Sequence, residues 1–426
     1  MSALAKLLHS YGYKVSGSDA LRGEQTEQLA CQGIRVHIGV DALRSDLCEA
    51  DTVVYTDAIS SGNQEWIAAC RMGKRVISRA ELLGLICEEF PNVLAIAGSH
   101  GKTTCTSMCA HVFQYLNAPF TAHIGGEDSL LGNLYAKGNE YFITEACEYK
   151  KNLLKIPKTV AVLLNVDKDH MECYGTEEAL ERCFQEYCET AKTTFVCADD
   201  EKCRKIGDFP SFGIDNPFAD YRAVELRANG ERYAFTVEEY GKAICRVNLN
   251  AIGRCNVYNA LAAFASIRSF GYDGAEIAKG LENFTAVKRR FEKIGNYKGA
   301  TFICDYAHHP REISATVKTA KGVTKRNLYV VFQPHTYSRT KLLMSEFVET
   351  LRPIKNLMLY KTYPAREKFD GAGSAERLAQ AVGNCLYAHN VYALKAWLKS
   401  TVRDGDIVLF LGAGDIYFVA QYLLKD

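Results

Sequence analysis

Val93-Leu-Ala-Ile-Ala-Gly98-Ser-His-Gly101-Lys102-Thr103-Thr104 decides how this chain is read. An apolar run of strand type enters a glycine turn, and the spacing from Cys105 to Phe113 then suits a helix. Backbone N–H groups at a helix start have no intrahelical partner, so a phosphate-sized anion fits over Gly98, Ser99, His100, Gly101 and Thr104. Lys102 would place a point charge on the outer phosphates, and Thr103 a hydroxyl on Mg²⁺. The spacing Gly-x-x-Gly-Lys-Thr is two residues tighter than the usual nucleotide loop. A plain surface turn before a helix is the competing reading, and the flanking strand and helix weigh against it.

The 426 residues, 48% hydrophobic and 24% charged, suffice for two or three packed domains. Fifty-one basic residues against fifty acidic ones give none of the concentrated positive charge that nucleic acid or an anionic membrane demands. The expected partner is a small molecule. Sixteen cysteines are scattered without a Cys-x-x-Cys pair. That pattern suits reduced thiols used as small core residues in a cytoplasm, not a zinc site or disulfide framework. No apolar run reaches the roughly 18 residues a membrane span needs, and the start, Met1 to Gly12, reads as a helix and not an export signal.

From residue 1 to 91 helices near 1–11, 24–32 and 63–72 alternate with strands near 14–19, 34–38, 52–56 and 75–78. This alternation predicts a parallel sheet wrapped by helices. A Rossmann-like domain opens with a strand and a glycine-rich turn, but here Met1 already stands at the helix. The expectation is a domain lacking its first strand, in a truncated chain or one with a misassigned start.

A central α/β domain is expected over 92–286. After the phosphate loop come His123-Ile-Gly125-Gly126, strand Tyr141 to Glu145 with Glu148 close behind, and strand Thr159 to Leu164 delivering Asn165, Asp169 and His170. Ligands gather beyond strand carboxyl ends in open α/β sheets, so Glu145 and His170 are Mg²⁺ candidates, with capping or surface roles as the alternative. Residues 221–250 read as β-hairpins with a turn at Asn229-Gly230. Asn256 and Asn259 stand one turn apart on the next helix, and either read a purine edge or cap the helix.

The third region, 287–426, opens near Arg289-Arg290. Strands Thr301–Cys304, Leu328–Phe332, Asn356–Tyr360 and Asp406–Phe410 each feed a polar or glycine-bearing loop, again a doubly wound pattern. Adjacent His308 and His309 point oppositely on an extended segment, which argues against a metal site.

Six segments in order carry a resemblance: Gly98 to Thr104, Asn165 to Tyr174, Gly253 to Ala263, Arg289-Arg-Phe291, Asp305-Tyr-Ala-His-His-Pro310 and Gln333-Pro-His-Thr-Tyr-Ser-Arg-Thr340. Together they resemble the Mur ligases over nearly the whole chain. The amino-terminal Val15 to Asp19 and Asp57-Ala-Ile-Ser60 resemble that family's UDP-sugar domain.

The resemblance implies three α/β domains: a Rossmann-like UDP-binding domain, a central P-loop ATPase-type domain and a C-terminal Rossmann-like domain. It implies a cytoplasmic step of peptidoglycan synthesis, serving cell-wall biogenesis and through it cell shape and division. ATP phosphorylates the lactyl carboxylate of UDP-N-acetylmuramate, and the amine of L-alanine attacks the acyl phosphate. By the family pattern Lys102 stabilises the transferring phosphoryl group, while Thr103, Glu145 and His170 hold Mg²⁺. Asn256 and Asn259 contact adenine, Arg290 the γ-phosphate and Asp305 the ribose side. Tyr306, His308, His335 and Arg339 orient alanine, Arg339 on its carboxylate. His100, His123, Gly125 and Gly126 meet the sugar substrate, and Ser18 and Asp19 are further binding residues for the UDP-sugar. A monomer or weak dimer is expected.

Four features depart from the pattern. Cys147 stands where an Asp is usual, Cys255 where a His is usual, and Thr336 where an Arg is usual. The first strand and its glycine turn are the fourth. No carbamylated lysine is expected, since Arg182-Cys-Phe-Gln185 has none. Two rivals stay open: a murein-peptide ligase that adds a tripeptide to the same sugar nucleotide, and a non-catalytic sugar-nucleotide binding protein.

Overall fold

Four short strands open the chain as two parallel pairs in the computed structural model, which describes residues 1–39, 45–229 and 232–425. β1 (Ser16–Asp19) lies beside β2 (Arg35–Ile38), and β3 (Thr52–Tyr55) beside β4 (Arg75–Ser78). Helices Ser2–Ser10, Glu24–Cys31 and Gln64–Arg71 alternate with them as the pattern predicts. The expected single sheet is instead two pairs, because no strand among the described residues hydrogen-bonds to both.

The chain folds as two compact units. One comprises Met1–Val224, Thr236–Val247 and Tyr258–Phe284, the other Glu225–Phe235, Asn248–Val257 and Thr285–Asp426. In the first unit the sheet is built on β5 (Asn92–Ala97), β6 (Phe120–Asp128), β7 (Gly132–Ala136), β8 (Tyr141–Glu145), β9 (Val160–Leu163), β10 (Thr193–Cys197) and β11 (Ser211–Gly213). With β12 (Tyr221–Asn229), β13 (Arg232–Glu239) and β14 (Lys242–Ile252) the ten-stranded order is β14-β13-β12-β11-β10-β9-β5-β8-β6-β7. The expected Asn229-Gly230 turn falls at residue 230, outside the described residues.

β5 sits between β8 and β9, parallel to both, so the three loops at their carboxyl ends lie together. That places the loops after Ala97, Glu145 and Leu163 at one rim. Helix Lys102–Tyr115 is buried from Thr103 to Phe113 on every side, which is why it carries no polar face. Its Phe113 meets Phe120, Tyr141, Phe270 and Tyr272 in an aromatic cluster. β6 and β7 form an antiparallel hairpin that the sequence reading missed. Small and glycine residues at Gly125, Gly126 and Gly132 blur its alternation.

The second unit holds a six-stranded sheet of β15 (Glu292–Tyr297), β16 (Ala300–Asp305), β17 (Leu328–Phe332), β18 (Leu357–Tyr360), β19 (Leu386–Ala388) and β20 (Ile407–Leu411), ordered β15-β16-β20-β17-β18-β19. All pairs are parallel except β15 with β16. Alternate residues of β16, β17, β18 and β20 feed two cores. Ile303, Val330, Phe332, Leu357, Leu359, Leu409 and Leu411 pack one face, and Phe302, Cys304, Val331, Met358, Val408 and Phe410 the other. Both faces are therefore covered, as a doubly wound sheet requires. The edge strands β15 and β19, one charged and one of three residues, escape a reading that looks for apolar runs.

Candidate active site

The loop Gly98–Gly101 turns directly from β5 into helix Lys102–Tyr115. Gly98 has φ +133°, and a Cβ there would lie 3.0 Å from Leu164 Cβ and 3.1 Å from Asn165 N. Gly101 has φ +86°, and its Cβ would come 2.7 Å from Asn259 Oδ1. Both positions demand glycine on conformation and on space. Asn165 clamps the turn from the next loop. Its Oδ1 accepts from His100 N at 2.8 Å, its Nδ2 donates to His100 O at 3.0 Å, and its carbonyl accepts from Ser99 N at 3.1 Å. Asp167 completes the clamp, taking His100 Nε2 at 3.1 Å and donating its N–H to Ser99 Oγ at 2.8 Å. The first-turn N–H groups of the helix thus start from a fixed loop, the arrangement that binds phosphate. His100 therefore serves the loop's geometry.

Lys102 bends back over this loop. Its Nζ donates to Gly98 O, to Ser99 O at 3.2 Å and to both oxygens of Glu148 at 3.1 and 2.9 Å. Burial works against the ammonium, but Glu148, together with neighbours that include Glu145, more than offsets it and lifts its pKa above the ordinary lysine value. Cys147, where the family pattern has Asp, has its thiol pushed up to about 11 by burial and by Glu148. It stands protonated and uncharged at neutral pH.

Glu148, Asp169 and His170 each offer a ligand atom within 4.8 Å of the others. Glu148 is 1% exposed, and its backbone carbonyl takes the Tyr174 hydroxyl. The ring of Tyr149 meets that of His170 at 5.0 Å. Non-glycine residues in the left-handed region flank the group: Lys150 at φ 52°, Lys151 at 59° and His170 at 54°. Such strain gathers where surrounding contacts over-determine the backbone. Of the two residues expected from the sequence to join Thr103 as metal ligands, His170 belongs to this cluster and Glu145 does not. Glu145 Oε1 instead accepts the Gly125 N–H at 2.7 Å, and Thr103 lies buried in the helix's first turn.

His123 is buried with both ring nitrogens engaged, Nδ1–H donating to Thr144 Oγ1 at 3.0 Å and Nε2 accepting from Arg79 at 3.2 Å. Burial first, and the Arg79 charge second, depress its pKa to about 3. Gly126 follows Gly125 on β6. Ser18 and Asp19 end β1, Ser18 donating to Glu65 at 2.5 Å and Asp19 accepting from Leu21 N at 3.1 Å. Asp57 holds Asn152 Nδ2 at 2.9 Å and Lys150 Nζ at 3.1 Å, and these bonds outweigh burial to lower its pKa. Asn259 lies against Gly101.

In the second unit, Asn256 Nδ2 donates to Ile252 O at 2.7 Å, the local bond of an amide at a helix start. Asp305 closes β16, its two oxygens accepting from Phe291 N at 2.7 Å and Ala307 N at 2.8 Å. Burial raises its pKa, and Arg290 opposes that rise. Arg289 and Arg290 stand over the Tyr306 ring at 4.8 and 4.9 Å, and Arg289 also donates to Gly414 O at 2.8 Å.

The loops after β16 and β17 bring the remaining expected residues together. Tyr306 meets His308 at 5.4 Å between ring centroids, and His308 meets His335 at 5.8 Å. Arg339 Nη1 reaches His335 Nδ1 at 3.2 Å and its carbonyl at 3.0 Å. Two residues join them that no sequence motif marked. Tyr363 stacks on His335 at 5.5 Å and 12°, and Glu367 accepts from Thr336 Oγ1 at 2.7 Å and Ser338 N at 2.9 Å. Thr336, standing where the pattern has Arg, thus pins the loop. The signal for Glu367 would have been a carboxylate whose partners lie 29 and 31 residues upstream, a spacing with no local period.

Comparison with known proteins finds relatives along the full length of the chain. Residues 1–91 match the Mur ligase family, catalytic domain, residues 96–267 the Mur ligase middle domain, and residues 289–414 the Mur ligase, glutamate ligase domain. The chain is 37% identical over 439 residues to the UDP-N-acetylmuramate–L-alanine ligase of Clostridium beijerinckii, covering 100% of this chain and 95% of that one. The UDP-N-acetylmuramate-alanine ligase of Thermotoga maritima superposes with a TM-score of 0.85 at 27% identity, over 100% of this chain and 96% of that chain. A murein peptide ligase from Psychrobacter arcticus shares the fold at TM-score 0.77 and 21% identity, over 100% and 96%. Three successive family models and relatives 35–37% identical over the full length show that the chain belongs to the Mur ligase family.

Proposed function

We propose that this chain is an ATP-dependent ligase that joins L-alanine to the lactyl carboxylate of UDP-N-acetylmuramate in peptidoglycan precursor synthesis. The observation that carries the reading is full-length identity of 35–37% to ligases of that name. We assign its work to three regions, 1–91 for the UDP-sugar, 92–286 for ATP and 287–426 for the amino acid. It acts in the cytoplasm as a monomer or weak dimer, on two small substrates.

A carboxylate resists attack by an amine because its leaving group would be an oxide, and phosphorylation replaces that with phosphate. In this reading the loop 98–104 receives the triphosphate, with Lys102 on the transferring phosphoryl group. The cluster of two carboxylates and one imidazole suits a hard divalent cation that keeps several waters, so Glu148, Asp169 and His170 would hold Mg²⁺. When bound, the ion neutralises phosphate charge. By the family pattern Asn256, Asn259 and Asp305 are assigned to the nucleoside, Arg290 to the phosphate, and Arg339 to the carboxylate of L-alanine.

The test is phosphate release that requires both UDP-N-acetylmuramate and L-alanine and is lost in Lys102→Ala. Release that requires a tripeptide in place of L-alanine would instead make the protein a murein-peptide ligase. Binding of UDP-N-acetylmuramate with no release under any amine would make it a binding protein.

A further inference from the structure

Two histidines stand side by side in the second unit, and their hydrogen bonds give them opposite tautomers. His335 Nδ1 lies 3.2 Å from Arg339 Nη1, and a guanidinium only donates. The lone pair of His335 is therefore on Nδ1 and its proton on Nε2. His308 Nδ1 lies 3.0 Å from the Tyr306 carbonyl oxygen and 3.3 Å from Glu312 Oε2, and both of those only accept. Its proton is therefore on Nδ1 and its lone pair on Nε2.

The same Glu312 oxygen accepts the backbone N–H of His308 at 3.0 Å and of His309 at 3.2 Å. These bonds make Glu312 the N3 residue of a capping box on helix Pro310–Val323. They also fix its carboxylate against the His308 ring, where both side chains are only 14% exposed. A carboxylate so placed stabilises the imidazolium and holds the ring in one tautomer, the logic of a histidine general base and its orienting acid. His335 has the reverse environment, with a guanidinium on Nδ1 opposing protonation.

We infer that His308 is the general base of amide formation, positioned by Glu312, and that His335 serves Arg339 in seating the amino acid. The inference rests on the ligase reading above. The ammonium of L-alanine gives one proton to His308 Nε2, and the freed electron pair forms the C–N bond at the acyl-phosphate carbonyl. The C–O bond to phosphate breaks with its electron pair. The second nitrogen proton leaves with the phosphate, and His308 returns its own to water. Charged and titratable groups around His308 in this unit include Glu312 against its ring, the Arg289–Arg290 pair across the Tyr306 ring, and His335 alongside with Arg339 on its Nδ1.

The experiment compares His308→Gln, His335→Gln and Glu312→Gln by kcat/KM for L-alanine across pH, with hydroxylamine trapping of the acyl phosphate from ATP and UDP-N-acetylmuramate. His308→Gln is expected to keep trapping, to lose at least 100-fold in amide formation, and to lose the acidic limb of the pH profile. Glu312→Gln keeps the capping box, since glutamine serves at N3, yet should shift that limb to lower pH. His335→Gln is expected to raise KM and keep the limb. An acidic limb that persists in His308→Gln, or that disappears in His335→Gln, overturns the assignment. So does an unmoved limb in Glu312→Gln, which would leave that residue a cap alone. If the wild-type protein neither traps nor joins L-alanine, the ligase reading itself has failed, and that outcome is distinct from a misassigned base.

Discussion

Replacing Lys102 by methionine should unfold the first unit far more readily than the loss of a surface lysine would. Glu148 is 1% exposed, and the side chains of the pair are 15% and 2% exposed for Lys102 and Glu148. The contact is bidentate, at 2.9 and 3.1 Å. Removing one partner of such a pair leaves a buried charge uncompensated, at a cost of about 3–5 kcal/mol. A urea slope of about 3 kcal/mol per molar for a unit of this size makes that a fall of about 1–2 M in the midpoint. The chain has two tryptophans, Trp66 in the first unit and Trp397 in the second, so a Trp397→Phe background lets Trp66 fluorescence report the first unit alone. Adding Glu148→Gln to Lys102→Met should recover most of the loss, because a neutral amide does not need the ammonium. Substrates are absent, so catalysis does not enter the measurement. A midpoint within about 0.3 M of the parent, corresponding to under about 1 kcal/mol, would refute the pairing as a source of stability. Equal midpoints for the single and double variants would do the same.

Three further outcomes follow from single contacts. Alanine at Gly125, which the family pattern sets against the sugar substrate, would place its Cβ 2.6 Å from Glu145 Oε1, so Gly125→Ala should raise KM for UDP-N-acetylmuramate by about 10-fold with an unchanged circular dichroism spectrum. Alanine at Gly84 would set its Cβ 2.3 Å from the Lys155 carbonyl oxygen, a backbone atom. Gly84→Ala should cost about 1–3 kcal/mol and lower Tm by several degrees, and an unshifted scan would show that helix Arg79–Glu88 can yield. His123, depressed to about 3, binds fewer protons folded than unfolded below pH 6.5. Stability should therefore fall as pH drops from about 6.5 toward 3, by up to about 1.4 kcal/mol per unit, and His123→Asn should flatten that part of the curve. A wild-type curve already flat there would contradict the buried neutral ring.

The sequence by itself determined whatever depends on neighbours along the chain. Gly98 and Gly101 announce a turn that only glycine can make, Lys102 its charge, and the alternation of helix and strand the α/β class. The loops after β16 and β17 were legible because each follows an apolar strand and carries Tyr306, His308, His335 and Arg339 in short runs. What only tertiary structure decided are pairings between distant segments. Glu148 and not Glu145 joins Asp169 and His170, because β8 ends in an acidic stretch and only the pleat and the following turn choose which carboxylate faces Lys102. Asp167 locks His100, Glu367 holds Thr336 and Ser338, and Tyr363 stacks on His335, across 67, 31, 29 and 28 residues. Period and propensity extend over a few residues, whereas a side chain's proton, charge and orientation are set by what the fold brings within about 3 Å of it.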